Sequence, residues 1–141
     1  MGIKGGVWKP ALNKEKQAVG TFEGLYVQEH ENSQGKWESH EALFKILGED
    51  GNEKEIPLRL PFKFAETNAL GEFANATGFK YGVEYETNPD GFEIMKSNNI
   101  DTLDEHFEQC EGKRYQLQMK LNERFLWVID PSSLREFAPV K

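Results

Sequence analysis

The side chains able to do chemistry are few and scattered. Three histidines, His30, His40 and His106, and a single cysteine, Cys110, are the soft metal ligands of the 141-residue sequence. His30–Glu31 and His40–Glu41 lack the HExxH spacing that sets two imidazoles on one helical face. With no third ligand placed, no metal site is expected. Cys110 has no partner for a disulfide and is expected as a small buried hydrophobe. GIKGGVWK at residues 2–9 is glycine-rich but has neither the preceding strand nor the pattern of a phosphate loop. Ser132 and Ser133 have no paired base, and no two carboxylates pair for proton transfer. The expectation is a non-enzymatic protein without metal or cofactor.

The remaining chemistry is that of flat rings and positive tips. Aromatic faces stack on unpaired bases, each worth about 1–3 kcal/mol and needing no sequence code. Lysine and arginine add a salt-sensitive attraction by releasing counterions from phosphates. Residues of these types fall at Lys36 and Trp37, Lys45, Arg59 and Lys63, Lys80 and Tyr81, then Arg114, Lys120 and Arg124. Each also has a plainer role. Trp37 can close off a core, and Arg59 and Lys63 can be solvated charges that keep a sheet edge from aggregating. Trp127 is expected in the core and Trp8 packed on it, while Tyr26 is open between core and surface.

Net charge is −7, which argues against a generally basic coat for nucleic acid. Its distribution says more. Residues 1–64 carry nine Lys/Arg against ten Asp/Glu, residues 65–112 two against eleven, and residues 113–141 six against three. The acid is thus concentrated in the middle third. No apolar stretch approaches the ~18 residues of a membrane span, and Met1 to Pro10 has lysines with no apolar run behind them. A cytoplasmic protein with no membrane partner is expected.

The elements that must position these groups follow from periodicity. Residues 1–17 read as a flexible arm with an apolar cluster at Val7, Trp8 and Leu12. Residues 18–29 alternate and are rich in β-formers, with Gly20 and Gly24 marking a bend or bulge. HENSQGK (30–36) reads as a turn, and a second strand runs from Trp37 to Leu47. EIPLRLPFKF (55–64) sets Ile56, Leu58, Leu60, Phe62 and Phe64 on one face, with Pro57, Arg59, Pro61 and Lys63 on the other. Thr67 or Asn68 can cap a helix carrying Leu70, Phe73 and Ala74, closed by Gly78. Residues 79–95 read as irregular or hairpin-like around NPDG. A second helix after Asp101 aligns Leu103, Phe107 and Cys110, and strands follow at 113–121 and 125–129. Residues 131–141 read as a short tail.

Three strands, a helix, then two strands is the order of the five-stranded Greek-key OB-fold barrel. The fold class expected is therefore mainly β with two short helices, the first lying between strands three and four. The barrel would span 18–130 and carry an acidic connection at 84–111.

On VGTFEGLYVQEHENSQGKWESHEALFKILGEDGNEKEIPLRLPFKF, the helix from Ala69–Leu70 through Phe73, Ala76 and Gly78, and EGKRYQLQMKL, the sequence resembles the OB-fold single-stranded-DNA-binding proteins of bacteriophages and mobile elements. The resemblance implies sequence-independent binding of single-stranded DNA in replication or recombination. It also implies a bacterial or phage-infected host cell, contacts with replication or recombination proteins, and a homo-oligomer that lengthens the groove, a state the residues neither demand nor forbid. Many such proteins dock partners through an acidic C-terminal tail. Here the last residues are SLREFAPVK, and the connection 84–111 is the candidate substitute. A second reading makes that connection, with Asp101, Asp104, Glu105 and Glu108, an acidic interaction module or inhibitor mimicking nucleic acid before a basic partner.

Overall fold

The computed structural model describes residues 8–140. It is mainly β, with two α-helices and an antiparallel sheet that curls into a half-barrel. The strands are β1 (Gln17–Asn32), β2 (Gly35–Leu47), β3 (Glu53–Pro61), β4 (Val83–Thr87), β5 (Glu93–Asn98), β6 (Arg114–Leu121), β7 (Trp127–Ile129) and β8 (Ala138–Pro139). The helices are α1 (Ala69–Ala76) and α2 (Leu103–Cys110). The main sheet runs β3-β2-β1-β6-β7, with β8 added on β6, and β4 and β5 form a separate hairpin. β7 lies against β3, bringing the two ends of the sheet together without a ladder between them.

β1 is the spine. It pairs with β6 from Gln17↔Gln118 to Thr21↔Arg114 and with β2 from Gly20↔Ile46 onward, so Gly20 and Thr21 are shared by both neighbours. A bulge between Phe22 and Gly24 then bends it away from β6, and Gly24 takes φ +144°, a conformation that side chains resist. Beyond the bend β1 pairs with β2 alone. At Gly20 a Cβ would lie 2.6 Å from Ile46 Cδ1, so the strands close there only around hydrogen. Both glycines expected to carry the bend thus contribute, one by conformation and one by packing.

The core lies on the concave side. Phe22, Phe44, Phe73, Phe107 and Phe137 form an aromatic cluster whose rings meet at 5.4–6.4 Å. The alternation holds for Ile56, Leu58 and Leu60, which are buried, but β3 ends at Pro61, and Phe62, expected on the same face, is exposed beyond it. Both helical stripes hold too: Leu70, Phe73 and Ala74 on α1, and Leu103, Phe107 and Cys110 on α2, are buried. Asn68 is the cap of α1, its Oδ1 accepting from the Gly71 amide at 3.0 Å.

Several boundaries differ from expectation. HENSQGK is mostly strand, and only Ser33 and Gln34 turn, because Asn32 and Gly35 continue the β1–β2 ladder to its end. The polar composition reflects exposure there, not irregularity. The last long strand is three residues, not five. Asn122 Oδ1 accepts from the Arg124 and Leu126 amides, and Phe125 adopts φ +60°, so 122–126 is a pinned turn. The segment after Ile129 is no loose tail: a 3-10 turn, Pro131–Glu136, buries Leu134, and Phe137 joins the aromatic cluster. At the other end Trp8 packs against the core and Pro10 bridges Gly48. The rest of the arm expected at 1–17, residues 1–7 with Val7, lies outside the described residues.

Candidate nucleic-acid interface

The register decides which side chains share a face, because a residue and its direct cross-strand partner project to the same side. Since Phe22↔Phe44↔Ile56 is a core row, the alternate rows form the convex face. One such row reads Arg114, Thr21, Lys45, Glu55 across four strands. The next intact one reads Tyr26, Glu41, Arg59, then Gln28, Ser39, Pro61, and finally His30 with Trp37. Leu43 and Pro57 lie between them on the same face. From Lys45 to Trp37 is eight residues of strand, roughly 26 Å at the rise of an extended chain.

The rings on this platform are available. Trp37 is 46% exposed and Tyr26 47%. The His30 and Trp37 rings stack with centroids 5.1 Å apart and planes 19° from parallel. His30 Nε2 lies 2.7 Å from the Ser39 hydroxyl, which fixes the imidazole under the indole. Tyr26 lies over Gly24, so the bend of β1 leaves room for a ring. Among the cations, Lys45 is 3.8 Å from Glu23, while Arg59 and Arg114 form no ion pair among the described residues.

The sequence candidates divide accordingly. Trp37, Lys45, Arg59 and Arg114 are brought onto one face. Lys63 follows β3 at that strand's exposed end. Lys36 pairs with Glu31 and projects to the opposite side from Trp37. Tyr81 is half-buried with its ring 5.3 Å from Phe64, and Lys80 beside it lines a small cleft with Glu66 and Asn75, away from the convex rows. Arg124 stands in the β6–β7 turn, beyond the Gln17 end of β1, whereas Trp37 is near the Asn32 end. Lys120 lies 3.9 Å from Asp130. Trp127 pairs with Leu121 and is half-buried at the rim of the core side.

In the sequence His30 stands out only as a residue of metal-ligand type with no partners, and Tyr26 is open between core and surface. Their place beside Trp37 follows only from pairing, since nothing local in HENSQGK says that residues 30 and 37 are opposite. The strand expected at 125–129 includes Phe125, which instead lies in the turn, 74% exposed.

Besides Ser39 under His30, the other buried polar side chain among the described residues is Thr77, which makes a contact between the helices. His106 Nε2 lies 2.9 Å from Thr77 Oγ1, whose hydroxyl donates back to the Ala74 and Phe73 carbonyls at 2.9 and 3.1 Å. The imidazole therefore donates to Thr77. Burial holds the His106 pKa below its ordinary value, and Lys113 adds to this. Among the described residues no group of three His, Cys, Asp or Glu is arranged to hold a metal. No helix is long and apolar enough to cross a membrane.

No family model matches the chain, and no curated protein matches it.

Proposed function

We propose that the chain is an OB-type β-barrel protein that binds single-stranded DNA without sequence preference along the convex face of β1, β2, β3 and β6. The observation that carries this reading is the placement of Tyr26, Trp37, Lys45, Arg59 and Arg114 on one face of the sheet. The barrel assignment is supported by β1 being shared between β2 and β6, by α1 falling between β3 and the later strands, and by the approach of β7 to β3. Bases stack on Trp37, backed by His30, and on Tyr26. Phosphates are neutralised by Arg59 and Arg114, with Lys45 released from Glu23 and Lys63 at the margin. Roles in replication or recombination follow from the same reading.

A titration of labelled oligo-dT, followed by fluorescence anisotropy at two salt concentrations, tests it. Binding at low salt that weakens as salt rises supports the reading. Absence of binding at low salt, or binding indifferent to salt, ends it.

The acidic connection gives a narrower second reading than its composition suggested. α2 spends its apolar stripe on the core, and only its outer side carries Asp104, Glu105 and Glu108. The part of the connection with no packing role in the core is the β4–β5 hairpin.

A further inference from the structure

The β4–β5 hairpin is a two-stranded sheet with neither face covered. A hairpin alone is marginal in water, yet this one exposes four large apolar side chains: Tyr85 and Met95 on one face, Phe92 and Ile94 on the other. Glu84 and Glu86 lie on the same face as Ile94, the latter directly opposite it. They are two residues apart on one strand, hence roughly 7 Å. Residues 83–98 hold four carboxylates, Glu84, Glu86, Asp90 and Glu93, against Lys96 alone. On this face a row of two carboxylates on β4 runs beside a row of one aromatic and one aliphatic side chain at β5, so charge and flat apolar surface lie side by side, as phosphates and bases do along an unpaired polynucleotide. The convex face carries carboxylates too, Glu41 opposite Arg59 and Glu55 opposite Lys45, but Arg59 and Arg114 form no ion pair among the described residues, and Tyr26 and Trp37 are exposed, so the complement is local to these four side chains.

We propose that the face of the hairpin bearing Glu84, Glu86, Phe92 and Ile94 docks on the convex platform of a second copy of this chain, and that single-stranded DNA displaces it. The inference rests on the platform reading above and adds to it a self-association that competes with the ligand. Contact of hairpin to platform is head-to-tail, so each copy has one donor surface and one acceptor surface.

The test is sedimentation equilibrium of the full chain at 50 mM and 500 mM salt, with and without unlabelled oligo-dT. Three proteins are compared: wild type, the hairpin variant Glu84→Lys/Glu86→Lys, and the platform variant Arg59→Glu. All three substituted residues are exposed, and circular dichroism checks that the variants fold. The expected result is association of wild type above 16.2 kDa at low salt, lost at high salt and on adding oligo-dT. Each variant alone is monomeric, and an equimolar mixture of the two restores a heterodimer, because one keeps the platform and the other the hairpin. In anisotropy the hairpin variant binds oligo-dT at least threefold more tightly than wild type. Wild type that stays monomeric at low salt overturns the proposal, as does association that survives Glu84→Lys/Glu86→Lys or a mixture that fails to associate. Should oligo-dT neither bind nor dissociate the assembly while the mixture still pairs, the DNA reading falls and the docking of hairpin on platform stands.

Discussion

His30 and Trp37 face each other across the β1–β2 ladder with their rings nearly parallel, 5.1 Å apart. The indole is thereby held flat on one side and open on the other, which lowers the entropy lost when a base stacks on it. Trp37→Ala is expected to weaken oligo-dT binding by about 1–3 kcal/mol, roughly 5- to 150-fold. His30→Ala should weaken it less while leaving the fold intact. Anisotropy titrations of the two variants check this, and equal affinity of Trp37→Ala and wild type would remove Trp37 from the interface.

The two faces of the main sheet give an internal control. Arg59→Ala and Arg114→Ala are each expected to flatten the dependence of log K on log salt by about 0.7, one phosphate contact apiece. Lys36→Ala, on the side away from Trp37, should leave that slope unchanged. A slope that falls for Lys36 and not for Arg59 would place the nucleic acid on the other surface.

His106 gives the fold an acid-sensitive joint between α1 and α2. Its folded pKa is depressed, so the unfolded chain binds the proton more readily. The stability it contributes is complete above the ordinary histidine pKa of about 6.5 and is lost as pH falls through the lower folded value. Melting temperature should therefore drop between pH 7 and pH 5, and less steeply in His106→Gln, whose amide still donates to Thr77. Parallel melting curves for the two proteins across that range would dismiss the joint.

Leu134 is fully buried in a segment whose composition suggests an appendage. Leu134→Ala is expected to cost about 2–5 kcal/mol, as large-to-small changes in a core do. Urea unfolding would show this as a lower midpoint at unchanged slope, and an unchanged midpoint would show that 131–140 is not part of the cooperative unit.

What could be read from the chain alone was whatever a single element dictates. The alternation of Ile56, Leu58 and Leu60 and the stripes of Leu70–Phe73–Ala74 and Leu103–Phe107–Cys110 are local, and the structure keeps them; Phe62, expected to continue the first, lies past the end of β3 and is exposed. What could not be read depends on pairing between distant residues. Phe137 fills space left by Phe44 and Phe73, and no local pattern in SLREFAPVK announces that. The split of Lys36 from Trp37 is a matter of strand parity fixed by the Asn32↔Gly35 register. Tyr81 beside Lys80 suggested a stacking pair, but its ring is taken by Phe64.

Pro57 and Pro61 have consequences beyond the fold. β3 is laddered to β2 without a break from Glu53 to Pro61, so both pyrrolidine nitrogens fall where the strand's amides point outward. That border, which β7 approaches, has lost every second outward donor and is a poor template for a strand from another chain. Chains crowded together at high concentration would meet at a margin that resists growth into a fibre.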